Sequence, residues 1–118
     1  MMKVIPLTLA LLVSVATYCH AEELLAMYDS PSKGGEWGFR PAGGQAVAVN
    51  PPAFVWRPQT RADTYDIQCS QSEDFSKRGY TAVGIEYSCH CPPKPLKAGQ
   101  WYWRYRYRDG SGRASRWS

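Results

Sequence analysis

The sequence predicts an all-β domain, and its pattern is typical of a β-sandwich of about seven strands. Short runs of alternating apolar and polar residues recur along the chain, as in strands that bury one face. Clusters of Gly, Pro, Asn and Asp separate these runs and predict turns. No window of useful length shows the period of an amphipathic helix, so the helical fold classes are excluded.

The first three predicted strands are short and are separated by proline-containing stretches. Residues 46–49 and 53–56 are the apolar runs "AVAV" and "AFVW", and each is soon followed by a proline. Residues 64–70, "TYDIQCS", alternate well and place Tyr65 and Ile67 on one side of the strand. That side is expected to face the core.

The later predicted strands lie on both sides of a proline-rich connection. Residues 80–91 form an extended run in which Gly84 predicts a break or a bulge. Residues 92–99, "PPKPLKAG", contain three prolines, which lack the backbone donor that a central strand needs. Residues 100–108 form the longest predicted strand, and the tight turn "DGSG" follows it.

The last predicted strand is incomplete. Residues 113–118, "RASRWS", begin a strand in which Trp117 is expected to point inward, and the sequence stops one residue later. A domain rarely ends at the first turn of its last strand. We therefore expect the sandwich to be truncated in this strand and the chain to be the N-terminal piece of a longer protein.

The N-terminus has the pattern of a secretory signal peptide at residues 1–21. Lys3 precedes the apolar run 4–17, which is too short for a membrane-spanning helix, and "CHA" fits a small-x-small cleavage site. The protein is therefore expected to be periplasmic or secreted, with no membrane contact after cleavage. Lipidation of Cys19 is the less favoured alternative, because the bulky Tyr18 precedes it where a small residue is needed.

The remainder divides into a lead-in segment, residues 22–45, and the sandwich domain, residues 46–118. The charge is uneven along it. Residues 94–118 contain seven basic residues and one acidic residue, whereas residues 22–93 contain six basic and nine acidic residues. This asymmetry indicates one basic face or edge, which can attract an anionic partner.

Three cysteines follow the signal, namely Cys69, Cys89 and Cys91. An odd number allows one disulfide and leaves one thiol. Cys89 and Cys91 would lie on the same side of an extended segment, which is a poor geometry for a bridge between them. A bridge from Cys69 to Cys89 or Cys91 is the better pairing, and the alternative is that all three are small buried apolar residues.

The tripeptide "CHC" at residues 89–91 invites a metal interpretation, because Cys and His are zinc ligands. A strand would send His90 to the face opposite both cysteines, and a fourth ligand at suitable spacing is missing. We therefore predict no metal site, with the cysteines inward and His90 outward. The sequence also contains no nucleophile motif and no phosphate-binding loop, so we predict no catalytic residue and no cofactor.

Two stretches, "RPAGGQAVAVNPPAFVWRPQTRADTYDIQCSQSEDF" and "PLKAGQWYWRYRYRDGSGRASRWS", resemble the fibronectin type III-like module of bacterial exported proteins. The shared features are a Pro-x-Gly-Gly start, a Phe-x-Trp strand, a Leu-x-x-Gly turn before Tyr-Trp-Arg, and Ser-x-Trp-Ser. The combination of "NPPAFVWRP" with "WYWRYRYRD" looks more narrowly like the N-terminal domain of heparinase II/III-type polysaccharide lyases. The resemblance covers residues 36–118.

This resemblance implies a sandwich of the fibronectin type III or immunoglobulin-like class. Lyases of this family cleave uronic-acid polysaccharides by proton abstraction and elimination. Their catalytic tyrosine and histidine belong to a helical toroid and a following β domain, which no part of this chain matches, so no catalytic residue is transferred. The implied partners are the catalytic domains of the same protein and, beyond them, an acidic polysaccharide.

The strand at residues 100–108 has two different faces. One face holds Trp101, Trp103, Tyr105 and Tyr107, and the other holds Tyr102, Arg104, Arg106 and Arg108. Burying three unpaired guanidinium groups is far costlier than burying aromatic rings, so the arginines are predicted to face outward. The direction in which Tyr102 points is left undecided, because "LKAGQWY" also fits a tyrosine corner that would turn its side chain inward.

Arg104, Arg106 and Arg108 are the candidate ligand-binding residues. Arginine can hold a carboxylate or a sulfate through two hydrogen bonds. Alternatively, the three form a solvated face whose side-chain stems cover a neighbouring sheet or domain. Nucleic acid is not expected as a partner, because the protein is exported and the aromatic rings are needed in the core.

The predicted function is that of a non-catalytic accessory sandwich in a secreted or periplasmic polysaccharide lyase, whose catalytic domains are absent from this chain. The alternative is a free-standing module of an exported protein that binds a glycan or another protein. An autonomous enzyme is not expected, because no catalytic set is present.

Overall fold

The fold consists of antiparallel strands, and no helix occurs in the part of the chain that the structure describes. A computed structural model describes residues 25–30, 39–44 and 46–118. The strands are β1 (Phe54–Val55), β2 (Thr64–Ser70), β3 (Tyr80–Ile85), β4 (Cys89–His90) and β5 (Tyr102–Arg108). The predicted all-β class is confirmed. The predicted signal peptide and the alternative lipidation of Cys19 lie outside the described residues.

The strands form two sheets, as expected for a small β-sandwich. The larger sheet has the order β3-β2-β5, and the smaller sheet pairs β1 with β4. A bridge between Arg40 and Val55 adds part of the lead-in segment to the smaller sheet. Because β1 and β4 belong to one sheet and β2, β3 and β5 to the other, the chain crosses between the sheets repeatedly.

The core lies between the two sheets and is mainly aromatic. Trp56 is fully buried, stacks on Tyr105 at 5.7 Å between ring centroids, and contacts Tyr65 edge-on at 5.5 Å. Such ring pairs add about 0.5–1.5 kcal/mol each beyond the burial of their area. The buried apolar side chains are Leu25, Phe54, Trp56, Tyr65, Ile67, Cys69, Tyr105 and Tyr107.

The pairing of β2 with β5 follows the alternation of the sequence. Ile67 lies opposite Tyr105, and Gln68 lies opposite Arg104. The apolar residues of both strands therefore share the core face, and the polar residues share the outer face. This arrangement confirms the predicted faces of the longest strand.

The predicted run 80–91 divides into β3 and β4, which belong to different sheets. The register of β2 with β3 shifts opposite the stretch Tyr65–Ile67. Gly84 lies on this part of β3 with a φ of 70°, in the left-handed region that favours glycine. The predicted bulge at Gly84 is confirmed.

The predicted strand at residues 46–49 is wrong. This segment has no strand pairing, and Val47 and Val49 are exposed. The side chain of Asn50 donates to the carbonyl of Leu96 at 2.7 Å and accepts from its amide at 2.8 Å. These two bonds attach the end of the segment to the loop at Leu96.

Residues 114–118 run along the outer edge of β5 and are called the β5 seam. The amides of Ser115 and Ser118 donate to the carbonyls of Tyr107 and Tyr105, both at 2.8 Å. In return, the serine hydroxyls accept from the amides of the same two tyrosines, both at 3.0 Å. The seam is therefore not a regular strand, because hydroxyl groups replace the carbonyls of a normal ladder.

The lead-in segment is attached to the β5 seam. Leu25 forms a parallel bridge with Ser115 and is buried in the core. The Tyr107 hydroxyl donates to the Ala26 carbonyl at 2.6 Å. Arg116 forms a two-pronged ion pair with Asp29, with both contacts at 3.0 Å. Residues before position 46 thus contribute to the sandwich itself.

Candidate anion-binding face

The three candidate arginines lie together on the outer side of β5, which we call the arginine face. Each lies on the side of the strand opposite the buried rings of Tyr105 and Tyr107. Tyr102 pairs with Ser70 and shares the arginine face, so the structure does not turn it inward as a tyrosine corner would. The strand repeat spaces alternate residues by about 7 Å.

Arg104 is held by one hydrogen-bond acceptor and two rings. Its Nε and Nη2 donate to Oε1 of Gln68 at 2.8 and 2.6 Å. Its guanidinium carbon lies 4.1 Å from the ring centre of Phe75 and 4.7 Å from that of Trp117. Burial first and the nearby charge of Arg106 second lower the pKa of Arg104, which nevertheless stays charged at neutral pH.

Arg106 and Arg108 share a single buried carboxylate. The Nε atoms of both donate to Oδ2 of Asp66, at 2.8 Å from Arg106 and 3.1 Å from Arg108. Asp66 is 0% exposed, whereas the two arginine side chains are 26% and 37% exposed. The guanidinium of Arg106 also lies 4.4 Å from the ring centre of Trp117. These contacts fix both arginines while their ends reach solvent.

The arginine face keeps an excess of positive charge and of hydrogen-bond donors. Three guanidinium groups face one carboxylate, since Gln68 is neutral. Each guanidinium has five N–H donors. In the described part of the chain, none of the three arginines donates more than two of its N–H groups to protein acceptors. At least three N–H groups on each arginine therefore have no acceptor among the described residues.

Trp117 is placed differently from the prediction. It was expected to point into the core, but it lies on the arginine face between Arg104 and Arg106. The physical reason is the β5 seam, in which Ser115 and Ser118 turn their hydroxyls toward β5 and leave the intervening tryptophan on the outside. The arginine stems thus pack against a ring and against β2 of the same domain.

The cysteines are free in this structure, so the predicted bridge from Cys69 to Cys89 or Cys91 is not formed. Burial raises the pKa of the Cys69 thiol to about 12, and such a thiol is inert at neutral pH. Cys89 and Cys91 are exposed rather than inward. The predicted orientation of "CHC" is therefore reversed.

His90 faces the inner side of β4 because it pairs with the buried Phe54. Its Nε2 forms a hydrogen bond of 2.5 Å with the Tyr80 hydroxyl of β3. Burial lowers the pKa of His90 and raises the pKa of Tyr80. This hydrogen bond connects the two sheets.

Asp66, Gln68, Phe75 and Trp117 are the residues of the site that sequence reasoning missed. The sequence does contain a signal for Asp66 and Gln68. "TYDIQCS" and "WYWRYRYR" place acceptors and arginines with the same period of two, and antiparallel pairing brings such positions opposite each other. The contact of Phe75 with Arg104 has no local signal, because it depends on the loop after β2.

Two further features are absent from the described residues, a metal-binding cluster and a membrane-spanning helix. They contain no group of three or more His, Cys, Asp or Glu side chains that could hold a metal ion. They also contain no helix of the length and apolarity needed to cross a membrane. Searches of family models and of curated proteins find no match to the chain.

Proposed function

We propose that this chain is a non-catalytic accessory sandwich of an exported heparinase II/III-like polysaccharide lyase, and that its arginine face binds the acidic glycan. The observation that supports glycan binding is the arrangement of the arginines. The buried carboxylate of Asp66 holds Arg106 and Arg108, whose side chains are 26% and 37% exposed. Gln68 and the rings of Phe75 and Trp117 hold Arg104. Pre-organised guanidinium groups lose little side-chain entropy when they bind a carboxylate or a sulfate.

The proposal is tested by the affinity of the 118-residue chain for alginate, a linear uronic-acid polymer, measured by calorimetry at low salt. We expect the double variant R106Q/R108Q to bind at least about tenfold more weakly, because two charge-assisted contacts are lost. The variant R40Q is the control. It removes an exposed arginine that belongs to the other sheet, and its affinity should stay close to that of the unmodified chain.

Two results would contradict the glycan proposal. One is binding that salt does not weaken, since contacts between exposed charges are screened. The other is an equal loss of affinity in R40Q and R106Q/R108Q, which would indicate a general effect of net charge. Formation of unsaturated uronate by the purified chain would contradict the non-catalytic assignment.

The accessory role is separated from that of a free-standing module by the coding sequence downstream of Ser118. We expect an open reading frame that continues into a catalytic domain, as the resemblance to the lyases implies. A stop codon directly after Ser118 in an intact gene would favour the free-standing module, whose partner would be a glycan or a protein. Glycan binding by the arginine face would be compatible with both.

A further inference from the structure

The strand β3 forms one edge of the larger sheet, at the side away from β5. Tyr105 bonds the β5 seam, so the residue opposite it on β2, Ile67, directs its N–H and C=O toward β3 and its partner there, Ala82. The neighbours of Ala82, Thr81 and Val83, therefore direct theirs away from the sheet. Within the described ranges, no group bonds them on this side.

The strand β3 lacks features that usually protect an edge strand. Its sequence, "YTAVGI", contains no proline and no charged residue. Thr81 is exposed, and Val83 is 67% exposed. The bulge at Gly84 does protect an edge, but it lies near the end of β3. The backbone groups of Thr81 and Val83 are therefore open to another strand.

Two residues of opposite charge flank this open edge. Arg78 lies two positions before β3 and Glu86 directly after it, and both are exposed. In the described part of the chain, neither forms an ion pair. Arg78 lines a hollow together with Lys94 and Lys97, and no described acidic residue lines it. Eight residues of extended chain span about 27 Å, so Arg78 and Glu86 of one chain cannot meet.

We propose that β3 pairs with β3 of a second copy of the chain, antiparallel about a two-fold axis at Ala82. In this register, Thr81 of each copy exchanges backbone hydrogen bonds with Val83 of the other. Arg78 of each copy then lies beside Glu86 of the other. The bulge at Gly84 shifts this position by about one residue, which an arginine side chain can span. This charge complementarity selects a second copy as the occupant, because one edge supplies both members of each ion pair.

The pairing also determines where the two arginine faces lie. A two-fold axis between antiparallel edges is perpendicular to the sheet, so the two larger sheets become one sheet of six strands. Both arginine faces then lie on the same side, five strand spacings or about 24 Å apart. An acidic polymer that reaches both would bind more tightly than to one. This consequence rests on the proposed glycan binding, whereas the self-pairing does not.

Sedimentation equilibrium of the 118-residue chain tests the self-pairing. One paired edge is small compared with stable interfaces, so we expect a dissociation constant on the order of 0.1 mM. R78E and E86R should each weaken the dimer by at least about fivefold, because both ion pairs of the symmetric interface become like-charge contacts. The double variant R78E/E86R restores opposite charges and should recover the association of the unmodified chain.

Two controls separate this ion pair from general effects of charge. R78E and E86R change the net charge in opposite directions, so an effect of net charge alone would have opposite signs in the two variants. R61E and E73R make the same changes at exposed positions outside β3. They should change the dissociation constant by no more than about twofold. Association through another part of the chain would not respond to the exchange of Arg78 and Glu86.

Amide hydrogen exchange followed by NMR locates the interface. Between about 0.02 and 1 mM protein, we expect exchange of the Thr81 and Val83 amides to slow about threefold, because the dimer hydrogen-bonds them. The Ala82 amide faces β2 and should change little.

Three outcomes would overturn the inference. The first is a chain that remains monomeric up to about 1 mM, tenfold above the expected dissociation constant. The second is a double variant R78E/E86R that associates no better than the single variants. The third is association that leaves exchange of the Thr81 and Val83 amides unchanged, which would assign the interface to another surface. These experiments contain no glycan, so failure of self-pairing and failure of glycan binding are distinguishable.

Discussion

Asp66 is the residue that organises the arginine face, although it is itself completely buried. Desolvation of its carboxylate is offset by two charge-assisted hydrogen bonds, from Arg106 and Arg108. Its second oxygen, Oδ1, has no partner in the described part of the chain. The buried charge of Asp66 is therefore compensated only by the two arginines among the described residues, and Asp66 in turn holds their side chains in place.

Removal of this carboxylate should destabilise the domain. We expect D66A to lower the free energy of unfolding by about 2–3 kcal/mol, less than for a fully buried pair because both guanidinium groups reach solvent. Urea unfolding followed by tryptophan fluorescence measures the change. D63A is the control, because Asp63 is exposed and should contribute less than about 0.5 kcal/mol. Equal effects of the two substitutions would contradict a special role for Asp66.

At the residue scale, the alternation of the sequence predicted which side chains of β5 face the core. Tyr105 and Tyr107 are buried, and the arginines are on the outer face. The same rule failed at Trp117. A period of two applies to regular strands, and the bonds of the flanking serines to β5 replace that regularity with another geometry. Guanidinium groups also attract a ring on the outside, which a rule based on hydrophobicity does not include.

At the scale of elements, the β5 seam stabilises an edge of the larger sheet without being a strand. Two serines three positions apart each donate through their backbone amide and accept through their hydroxyl. Leu25 and Ala26 then contact the seam or Tyr107 from the other side. The hydroxyls therefore satisfy amides that would otherwise lose water on burial.

The two serines should differ in their contribution to stability. Ser115 is buried, whereas Ser118 is exposed. We expect S115A to lower the free energy of unfolding by about 1–2 kcal/mol, because it leaves the buried Tyr107 amide without an acceptor. S118A should cost about 0.5 kcal/mol or less, since water can replace its hydroxyl. Thermal unfolding of the two variants side by side gives the comparison, and a larger loss in S118A would contradict the assignment.

Sequence reasoning predicted the long elements better than the short ones. β2 and β5 have seven residues each with clear alternation, and both were predicted. The apolar run 46–49 is predicted as a strand, but it is exposed and has no strand pairing, and the residue that follows it, Asn50, bonds Leu96. These two residues are far apart in sequence, so no local pattern could have shown the contact. The division of 80–91 between two sheets is likewise decided by tertiary pairing.

At the scale of the whole molecule, the sandwich class was predictable and the way its sheets are joined was not. Apolar alternation predicts that two sheets bury their faces against each other. It does not predict that Tyr80, near an edge of the larger sheet, bonds His90 in the smaller sheet. The sequence analysis predicts His90 on the outside because it alternates with two cysteines that are expected to face inward. This prediction is wrong, because alternation does not show which face of a strand is covered.

The position of His90 between the two sheets should make the stability of the fold depend on pH. Burial lowers the pKa of His90 below its ordinary value of 6.5. Just below pH 6.5, His90 is therefore protonated more often in the unfolded chain than in the folded chain. The contribution of neutral His90 is therefore full above pH 6.5 and is lost as the pH falls toward the lower folded-state pKa. The slope cannot exceed about 1.4 kcal/mol per pH unit for one proton.

Urea unfolding between about pH 5.5 and 7.5 should show this loss in the unmodified chain and a flatter profile in H90Q. His20 is present in both chains, so the difference reports His90, and parallel profiles would contradict the prediction.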